Sequence, residues 1–83
     1  MYFVYILKSK KDQEFYIGFT ARDVHDRFVE HQNGIVDSTK NRRPVELVYF
    51  EAYIEESMAR KRERNLKDFG SAYVGLLKRL GFK

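Results

Sequence analysis

Two phenols, a guanidinium, an imidazole and a carboxylate occur along this chain in an order that could serve one reaction. They belong to Tyr5, Tyr16, Arg27, His31 and Glu63. A guanidinium binds two oxygens of a phosphate at once, a carboxylate can hold a divalent cation, and a phenol or imidazole can exchange a proton. Chemistry on a phosphate ester would require these side chains, which are far apart in the chain, to line one concave pocket.

The two tyrosines lie in short apolar segments with the spacing of β-strands. Phe3, Tyr5 and Leu7 share one face of the first segment, and Tyr16 and Gly18 share one face of the second. If the segments pair so that the phenols meet, Gly18 would leave room for a bulky group such as a sugar-phosphate backbone. The alternative is two core tyrosines with solvated hydroxyl groups.

Arg27 and His31 are four residues apart, so they lie on one face of a predicted helix. This face borders the apolar stripe, which places both side chains at the edge of the core. The planar, permanently charged guanidinium suits a phosphate. The alternative is a boundary arginine paired with Glu30 or Asp23, beside a histidine without a role.

Glu63 follows Ala59 by four residues and precedes Leu66 by three, so it falls on the apolar stripe of a later helix. A carboxylate that faces inward needs a partner, because an unpaired buried charge is costly. A divalent cation such as Mg²⁺ is one candidate partner. The other is an ordinary helix ion pair with Lys67 or Arg60.

The basic residues form two groups, one in a polar segment and one around this later helix. The net charge of +4 and the pI of about 9.4 favour polyanionic partners. The candidate phosphate contacts are Lys40, Arg42, Arg43, Arg60, Arg64 and Lys67. A solvated helix face would have the same composition.

The elements that must position these residues follow from hydrophobic periodicity and breaker residues. Strands are predicted at residues 2–7, 15–19 and 45–53, and helices at 24–32, from about 55 or 57 to 69, and from 71 to about 80. Residues 8–14 and 35–43 are predicted to be loops, the second of them at the surface. The order β-β-α-β-α-α predicts an α/β chain of the α+β type, with a three-stranded antiparallel sheet flanked by helices. At 83 residues, we expect one domain over 1–83.

Several local signals predict details of these elements. Asp23 is the expected N-cap of the first helix, and Asn33-Gly34 its C-terminal signal. The alternation in the third strand predicts that Val45, Leu47 and Tyr49 share a face. In the next helix the predicted apolar stripe consists of Met58, Ala59, Leu66 and Phe69, and Gly70 is the predicted end. Ser71 is the expected N-cap of the last helix.

Taken in order, these motifs resemble the signature of the GIY-YIG nucleases. The segments that carry the resemblance are Phe3-Val4-Tyr5, Tyr16-Ile17-Gly18, Arg27, Glu30-His31 and Asn33-Gly34. The stretches 39–44 and 59–67 resemble the small, single-domain bacterial branch, which is similar to the N-terminal domain of an excision-repair nuclease subunit. Phe3-Val4 replaces the Gly-Ile of the family name, one more residue than in some members separates Tyr16 from Arg27, and no late Asn follows Asn65.

The resemblance implies a three-stranded antiparallel sheet and a metal-dependent endonuclease that hydrolyses phosphodiester bonds in DNA. Glu63 would hold one divalent cation, Mg²⁺ or Mn²⁺, and Arg27 would stabilise the transition state. Tyr5 would act as the base, helped towards the phenolate by nearby positive charge. His31 could instead accept the proton, directly or through Tyr5, and Tyr16 would position water or phosphate.

The resemblance also implies DNA as the partner, with RNA left open, and a family associated with DNA repair. The alternative function is a non-catalytic nucleic-acid-binding module on the same scaffold, and a weaker one is a protein-interaction domain. We expect a monomer or a weak homodimer without an attached DNA-binding domain. With no cysteine, no apolar run of about 18 residues and no basic leader, we expect a cytoplasmic protein without a signal peptide or a membrane span.

Overall fold

The sheet and helices follow one another in the predicted order. The structure is a computed structural model and describes residues 1–82. Its elements are β1 (Tyr2–Ser9), β2 (Phe15–Thr20), α1 (Val24–Gln32), a short 3-10 helix (Lys40–Arg42), β3 (Val45–Tyr53), α2 (Glu56–Lys67) and α3 (Ser71–Arg79). The strands form one antiparallel sheet in the order β2-β1-β3. The predicted α+β fold is therefore confirmed.

Helices cover both faces of this sheet, because alternate residues of β1 are apolar on both sides. Tyr5 and Leu7 pack with Val24 of α1 on one face. Val4 and Ile6 pack with residues of α2 and α3 on the other face. The central strand β1 is thus buried from both sides, and β2 and β3 form the two edges of the sheet.

The turn between β1 and β2 is shorter than predicted. Lys8 pairs with Phe15, so the strands continue into the segment that polarity alone marked as a loop. The connection is tightened at Gln13, which has a φ of 64°, and by the Glu14 carbonyl, which accepts a hydrogen bond from the Ser9 amide (N to O, 2.9 Å). Polarity failed here because the Lys8 ammonium group lies over the rings of Phe15 and Phe82, 5.9 and 5.1 Å from their centroids, while its backbone stays paired.

The predicted alternation along β3 is wrong. Leu7 pairs with Leu47, whereas the preceding Ile6 pairs with Tyr49, so Val48 is an extra residue on β3. Such a bulge moves every later side chain to the other face. Tyr49 therefore packs on the α2 side, away from Leu47.

The prediction of a surface loop over 35–43 is wrong at Thr39. This side chain is 0% exposed, and the 3-10 helix begins immediately after it. A polar residue can be buried here because its hydroxyl group has a hydrogen-bonding partner, His31.

The apolar stripe predicted for α2 is half correct. Ala59 and Leu66 are fully buried, but Met58 is 55% exposed and Phe69 is 58% exposed. The helix ends at Lys67, and Phe69, with a φ of 56°, takes the left-handed conformation that we expected of Gly70. Gly70 instead takes the N-cap position of α3 that we assigned to Ser71.

Within residues 1–82, no helix has the length and apolar character needed to cross a bilayer.

Candidate active site

Tyr5 lies on the central strand with its ring over Gly18 of β2. The two residues face each other in the register of the sheet, and a Cβ placed on Gly18 would be 2.3 Å from Tyr5 Cζ. The ring therefore fills the space that we expected Gly18 to leave for a substrate, and that expectation is wrong. The absent side chain instead lets the phenol lie above the edge strand.

His31, near the end of α1, is fully buried against this phenol. Its Nε2 is 2.8 Å from Tyr5 Oη, and its Nδ1 is 2.7 Å from Thr39 Oγ1. The prediction that His31 lies at the edge of the core is wrong, since its exposure is 0%. Two hydrogen-bonding partners, one to each ring nitrogen, allow this burial.

Both buried groups are neutral near pH 7. Burial, supported by the charge of Arg27, lowers the pKa of His31 to about 4. Burial also raises the pKa of Tyr5 to about 12, while a hydrogen bond from Arg27 acts in the opposite direction. Tyr5 is therefore a protonated phenol beside a neutral imidazole.

Arg27 lies at the border of the core, as predicted, with its side chain 28% exposed. It donates from Nη1 to Glu30 Oε1 at 2.9 Å, and Tyr5 is among the groups that raise the pKa of its guanidinium. Glu30 in turn accepts two hydrogen bonds from Arg22, at 2.7 and 3.0 Å. Arg27 therefore both pairs with Glu30, which was the alternative interpretation, and lies beside the phenol of Tyr5. Both are possible because α1 places Glu30 one turn after Arg27. These guanidinium groups lower the pKa of Glu30 to about 2, which keeps it ionised.

Tyr16 points to the same side of the sheet as Tyr5, as the predicted pairing required. It faces Leu7 across the hairpin, two residues from the Tyr5–Gly18 pair. Its ring centroid is 5.2 Å from that of His31, and the side chain is half-buried. Tyr16 is thus the more accessible of the two phenols.

Glu63 approaches from the other face of the sheet. Its helix α2 packs against β1 and β2, and its side chain is 15% exposed with Lys67 Nζ at 3.0 Å from Oε2. The predicted helix ion pair with Lys67 is therefore present. The Glu63 charge nevertheless raises the pKa of Tyr5, although burial of the phenol raises it more.

The side chains of the described residues that could coordinate a metal suit a cation that keeps most of its bound water molecules. No group of three or more His, Cys, Asp or Glu side chains is placed to hold a metal, and no pocket is found there, contrary to the concave pocket that we predicted. One carboxylate with waters and phosphate oxygens is the ligand set that Mg²⁺ accepts. The single carboxylate of Glu63 meets that requirement if its ion pair with Lys67 is broken.

The six candidate phosphate-contacting side chains differ in their exposure and in the contacts that they already make within the protein. Arg42 is half-buried, donates to the Phe15 carbonyl and lies 3.6 Å from Asp12, so it ties the 3-10 helix to the β1–β2 hairpin. Arg60 is exposed, but its guanidinium stacks 4.0 Å from the Phe19 ring centroid. The other four are exposed: Lys40, Arg43, Arg64 and Lys67.

Sequence reasoning missed Thr39 and Arg22 as parts of this site. Thr39 reaches His31 only because the chain folds back between α1 and β3, and eight residues separate the pair. Its position at the start of the 39–44 motif was the available signal. Arg22 lies before the N-cap of α1 and gives no sign in the sequence that it reaches Glu30.

A comparison with protein families agrees with the predicted resemblance. The model of the GIY-YIG catalytic domain matches residues 1–75. The chain belongs to the GIY-YIG family. The family is one of nucleases that generally use a divalent metal, so membership implies a nucleic-acid substrate.

Similar proteins come from staphylococci. A UPF0213 protein of Staphylococcus epidermidis is 48% identical over 69 residues, which cover 82% of each chain. UPF0213 proteins of Staphylococcus saprophyticus and Staphylococcus aureus are 44% and 45% identical over the same length, again covering 82% of each chain. No solved structure matches the chain.

Proposed function

We propose that this GIY-YIG chain is an endonuclease that hydrolyses phosphodiester bonds in DNA with one divalent cation, Mg²⁺ or Mn²⁺. The supporting observation is the convergence of Tyr5, Arg27, His31 and Glu63. The phenol hydrogen-bonds to the imidazole at 2.8 Å, and the charges of the guanidinium and the carboxylate both act on it.

Arg27 binds the scissile phosphate in this proposal. Arg22, Arg27 and Glu30 together carry two positive charges and one negative charge, so the cluster retains a net attraction for a phosphate. The Arg27 side chain is 28% exposed, so a phosphate can compete with Glu30 for its N–H groups. Charge that develops on the phosphate oxygens then strengthens this contact.

Tyr5 and His31 move the proton. Tyr5 takes a proton from the attacking water while its own proton passes to His31 Nε2, 2.8 Å away. Because burial lowers the pKa of His31 to about 4, this transfer requires the negative charge of the incoming phosphate to favour the imidazolium. The Tyr5 side chain is 1% exposed, so water reaches its oxygen only when the phosphate draws Arg27 outwards. Tyr16, the more accessible phenol, orients the water or a phosphate oxygen.

Glu63 would hold the divalent cation. When bound, such an ion neutralises negative charge on the phosphate and on the leaving oxygen. Lys67 compensates the Glu63 charge in its absence, over a distance of 3.0 Å. Lys67 is then free to contact the DNA backbone, as the other exposed basic residues do in this proposal.

A nicking and cleavage assay on supercoiled DNA with Mg²⁺ or Mn²⁺ tests the proposal. Glu63→Ala should lower the cleavage rate about 100-fold or more, because several kcal/mol of charge stabilisation would be lost. Glu56→Ala is the matched control, since Glu56 makes the same type of helix pair, with Arg60, but lies outside the site. A Glu63→Ala protein that cleaves at the wild-type rate would show the metal role to be wrong.

Arg27→Ala tests the second half of the mechanism. We expect a fall of about 100- to 1000-fold in rate with the fold retained, since the side chain lies at the border of the core. If the variant unfolds instead, Arg27 is structural. If the wild-type protein binds DNA in a salt-sensitive manner but never cleaves it, the chain is a non-catalytic binding module.

A further inference from the structure

The charge of Arg27 favours one direction for the hydrogen bonds around His31. Tyr5 Oη lies 2.8 Å from His31 Nε2, and the nearby Arg27 guanidinium acts on the same oxygen. A positive charge attracts the lone pairs of that oxygen, so the Tyr5 proton points to His31 Nε2. Nε2 must then be free of hydrogen, and the single proton of the neutral imidazole lies on Nδ1.

The Thr39 hydroxyl oxygen accepts a hydrogen bond from this Nδ1–H group. Its Oγ1 is 2.7 Å from Nδ1, and its own proton points towards the Val36 carbonyl at 3.5 Å. The chain of donors therefore leads from Tyr5, beside the permanent cation Arg27, through His31 and Thr39 to a backbone oxygen. No buried side-chain nitrogen or oxygen of residues 1–82 is left without a partner in this arrangement.

Backbone hydrogen bonds hold Thr39 firmly in place. Its amide donates to the Val36 carbonyl at 3.2 Å, and its carbonyl accepts from the Arg42 amide at 2.9 Å. The side chain is 0% exposed, so water does not compete for its hydroxyl. A hydroxyl held in this way can select one tautomer of a histidine.

We propose that Thr39 is the positioning residue of the GIY-YIG site, and that its hydroxyl holds His31 in the Nδ1–H tautomer so that Nε2 can accept the proton of Tyr5. In the reaction, an O–H bond of water breaks as one forms on Tyr5, and the original Tyr5 O–H bond breaks as an N–H bond forms on His31. The resulting hydroxide attacks phosphorus. The leaving oxygen, on the opposite side of phosphorus, takes its proton from solvent, and His31 later returns its extra proton through Tyr5 to solvent.

This inference deepens the proposed nuclease function, but its first test requires no cleavage. Nitrogen-15 NMR of the histidine side chains shows which ring nitrogen carries hydrogen, and His25→Gln assigns the signals of His31. Near pH 7 we expect the wild-type His31 proton on Nδ1. A proton on Nε2 would overturn the inference without any variant of Thr39.

Thr39→Val and Thr39→Ser form a matched pair, since valine keeps the shape and serine keeps the hydroxyl. Thr39→Val should move the His31 proton to Nε2 and lower kcat about 10- to 100-fold, the usual effect of losing such a supporting partner, with little change in KM. Thr39→Ser should keep the Nδ1–H tautomer and recover most of kcat. Nδ1–H retained in Thr39→Val would contradict the proposal.

The two proposals fail in distinguishable ways. Wild-type protein that never cleaves DNA, but shows the Nδ1–H tautomer and its loss in Thr39→Val, retains the positioning role and loses the nuclease function. If Thr39→Val does not fold, the wild-type tautomer and the Thr39→Ser spectrum still decide. Cleavage with His31 protonated on Nε2 would leave the nuclease and remove the role of Thr39.

Discussion

At the scale of single residues, the position of Tyr5 depends on a neighbour that has no side chain. Gly18 is needed because the end of the phenol ring occupies the space that a Cβ would take, not because its backbone takes a special φ. Because the ring lies over Gly18, its hydroxyl group is placed beside His31 and Arg27. A change of one methyl group at Gly18 therefore acts on the whole proton path.

Gly18→Ala should destabilise the protein by about 1–3 kcal/mol and lower cleavage, because a Cβ would stand 2.3 Å from Tyr5 Cζ and the buried ring must shift. Urea unfolding and the cleavage assay measure the two effects. Gly75→Ala is the control: its Cβ meets no atom within 4 Å, so this helical site should gain about 0.5–1 kcal/mol. Wild-type stability and cleavage in Gly18→Ala would place the ring elsewhere.

The depressed pKa of His31 predicts a loss of stability in mild acid. The folded protein binds a proton at His31 only near pH 4, whereas the unfolded chain does so near its ordinary value of 6.5. The stabilisation is thus complete above pH 6.5 and is lost as the pH falls towards 4, by roughly 3 kcal/mol in total.

Urea unfolding at a series of pH values checks this. His31→Gln should remove most of the slope between pH 6.5 and 4, whereas His25→Gln, at an exposed site, should leave it in place. The stabilisation from the Glu30 carboxylate is present throughout most of this window and is lost mainly below it, because its folded pKa is about 2. An unchanged slope in His31→Gln would mean that the imidazole is not held neutral by burial.

At the scale of elements, α1 places both Arg27 and His31. Its start is fixed by Asp23, whose carboxylate accepts from the amides of His25 and Asp26 at 2.9 and 3.1 Å. These local hydrogen bonds explain why the predicted bounds of the helix agree with the structure. β3 shows the opposite case, because its bulge depends on pairing with β1 and not on its own sequence pattern.

Asp23→Ala should cost about 1 kcal/mol in unfolding free energy, because two amides at the start of α1 lose their acceptor. Asp23→Asn is the control, since its amide oxygen can still cap the helix, and it should stay within a few tenths of a kcal/mol of wild type. Urea unfolding of the three proteins provides the comparison. Equal losses in both variants would point to charge, not capping, as the cause.

At the scale of the whole molecule, the proposed site lies across the edge of the sheet. Tyr5 and α1 approach β2 from one face, and Glu63 of α2 approaches from the other. β2 is an edge strand, with a partner strand on one side only. Arg60 of α2 stacks on Phe19 of this strand, and Arg42 of the 3-10 helix donates to the carbonyl of Phe15, so basic side chains reach β2 from both elements.

Binding of DNA should therefore weaken steeply with salt. If the exposed residues contact about five phosphates, log K should fall with log salt at a slope near −4 to −5. Arg64, which makes no ion pair within residues 1–82, should supply one contact, so Arg64→Gln should reduce the slope by about 1.

Arg42→Gln is the matched control for Arg64→Gln, and fluorescence anisotropy in a salt series measures both. The Arg42 side chain is committed to the Phe15 carbonyl and Asp12, so its loss should lower stability and leave the slope unchanged. A slope that changes only in Arg42→Gln would reverse this assignment of the two arginines.

The sequence by itself determined the order and type of the elements and the residue types of the site. Strand alternation, the Asp23 cap and the Gly34 signal act over a few residues, so they are visible without the fold. Motif order also identified Tyr5, Arg27 and Glu63 as residues to examine together. Their catalytic roles remain predictions until cleavage is measured.

Only the tertiary structure decided how these residues meet. Pairing of β1 with β3 places the bulge at Val48, and the return of the chain after α1 buries Thr39 beside His31. The ring of Tyr5 fills the space over Gly18 because the two strands are adjacent in the sheet. Each contact joins segments distant in sequence, and no local pattern encodes a distance between such segments.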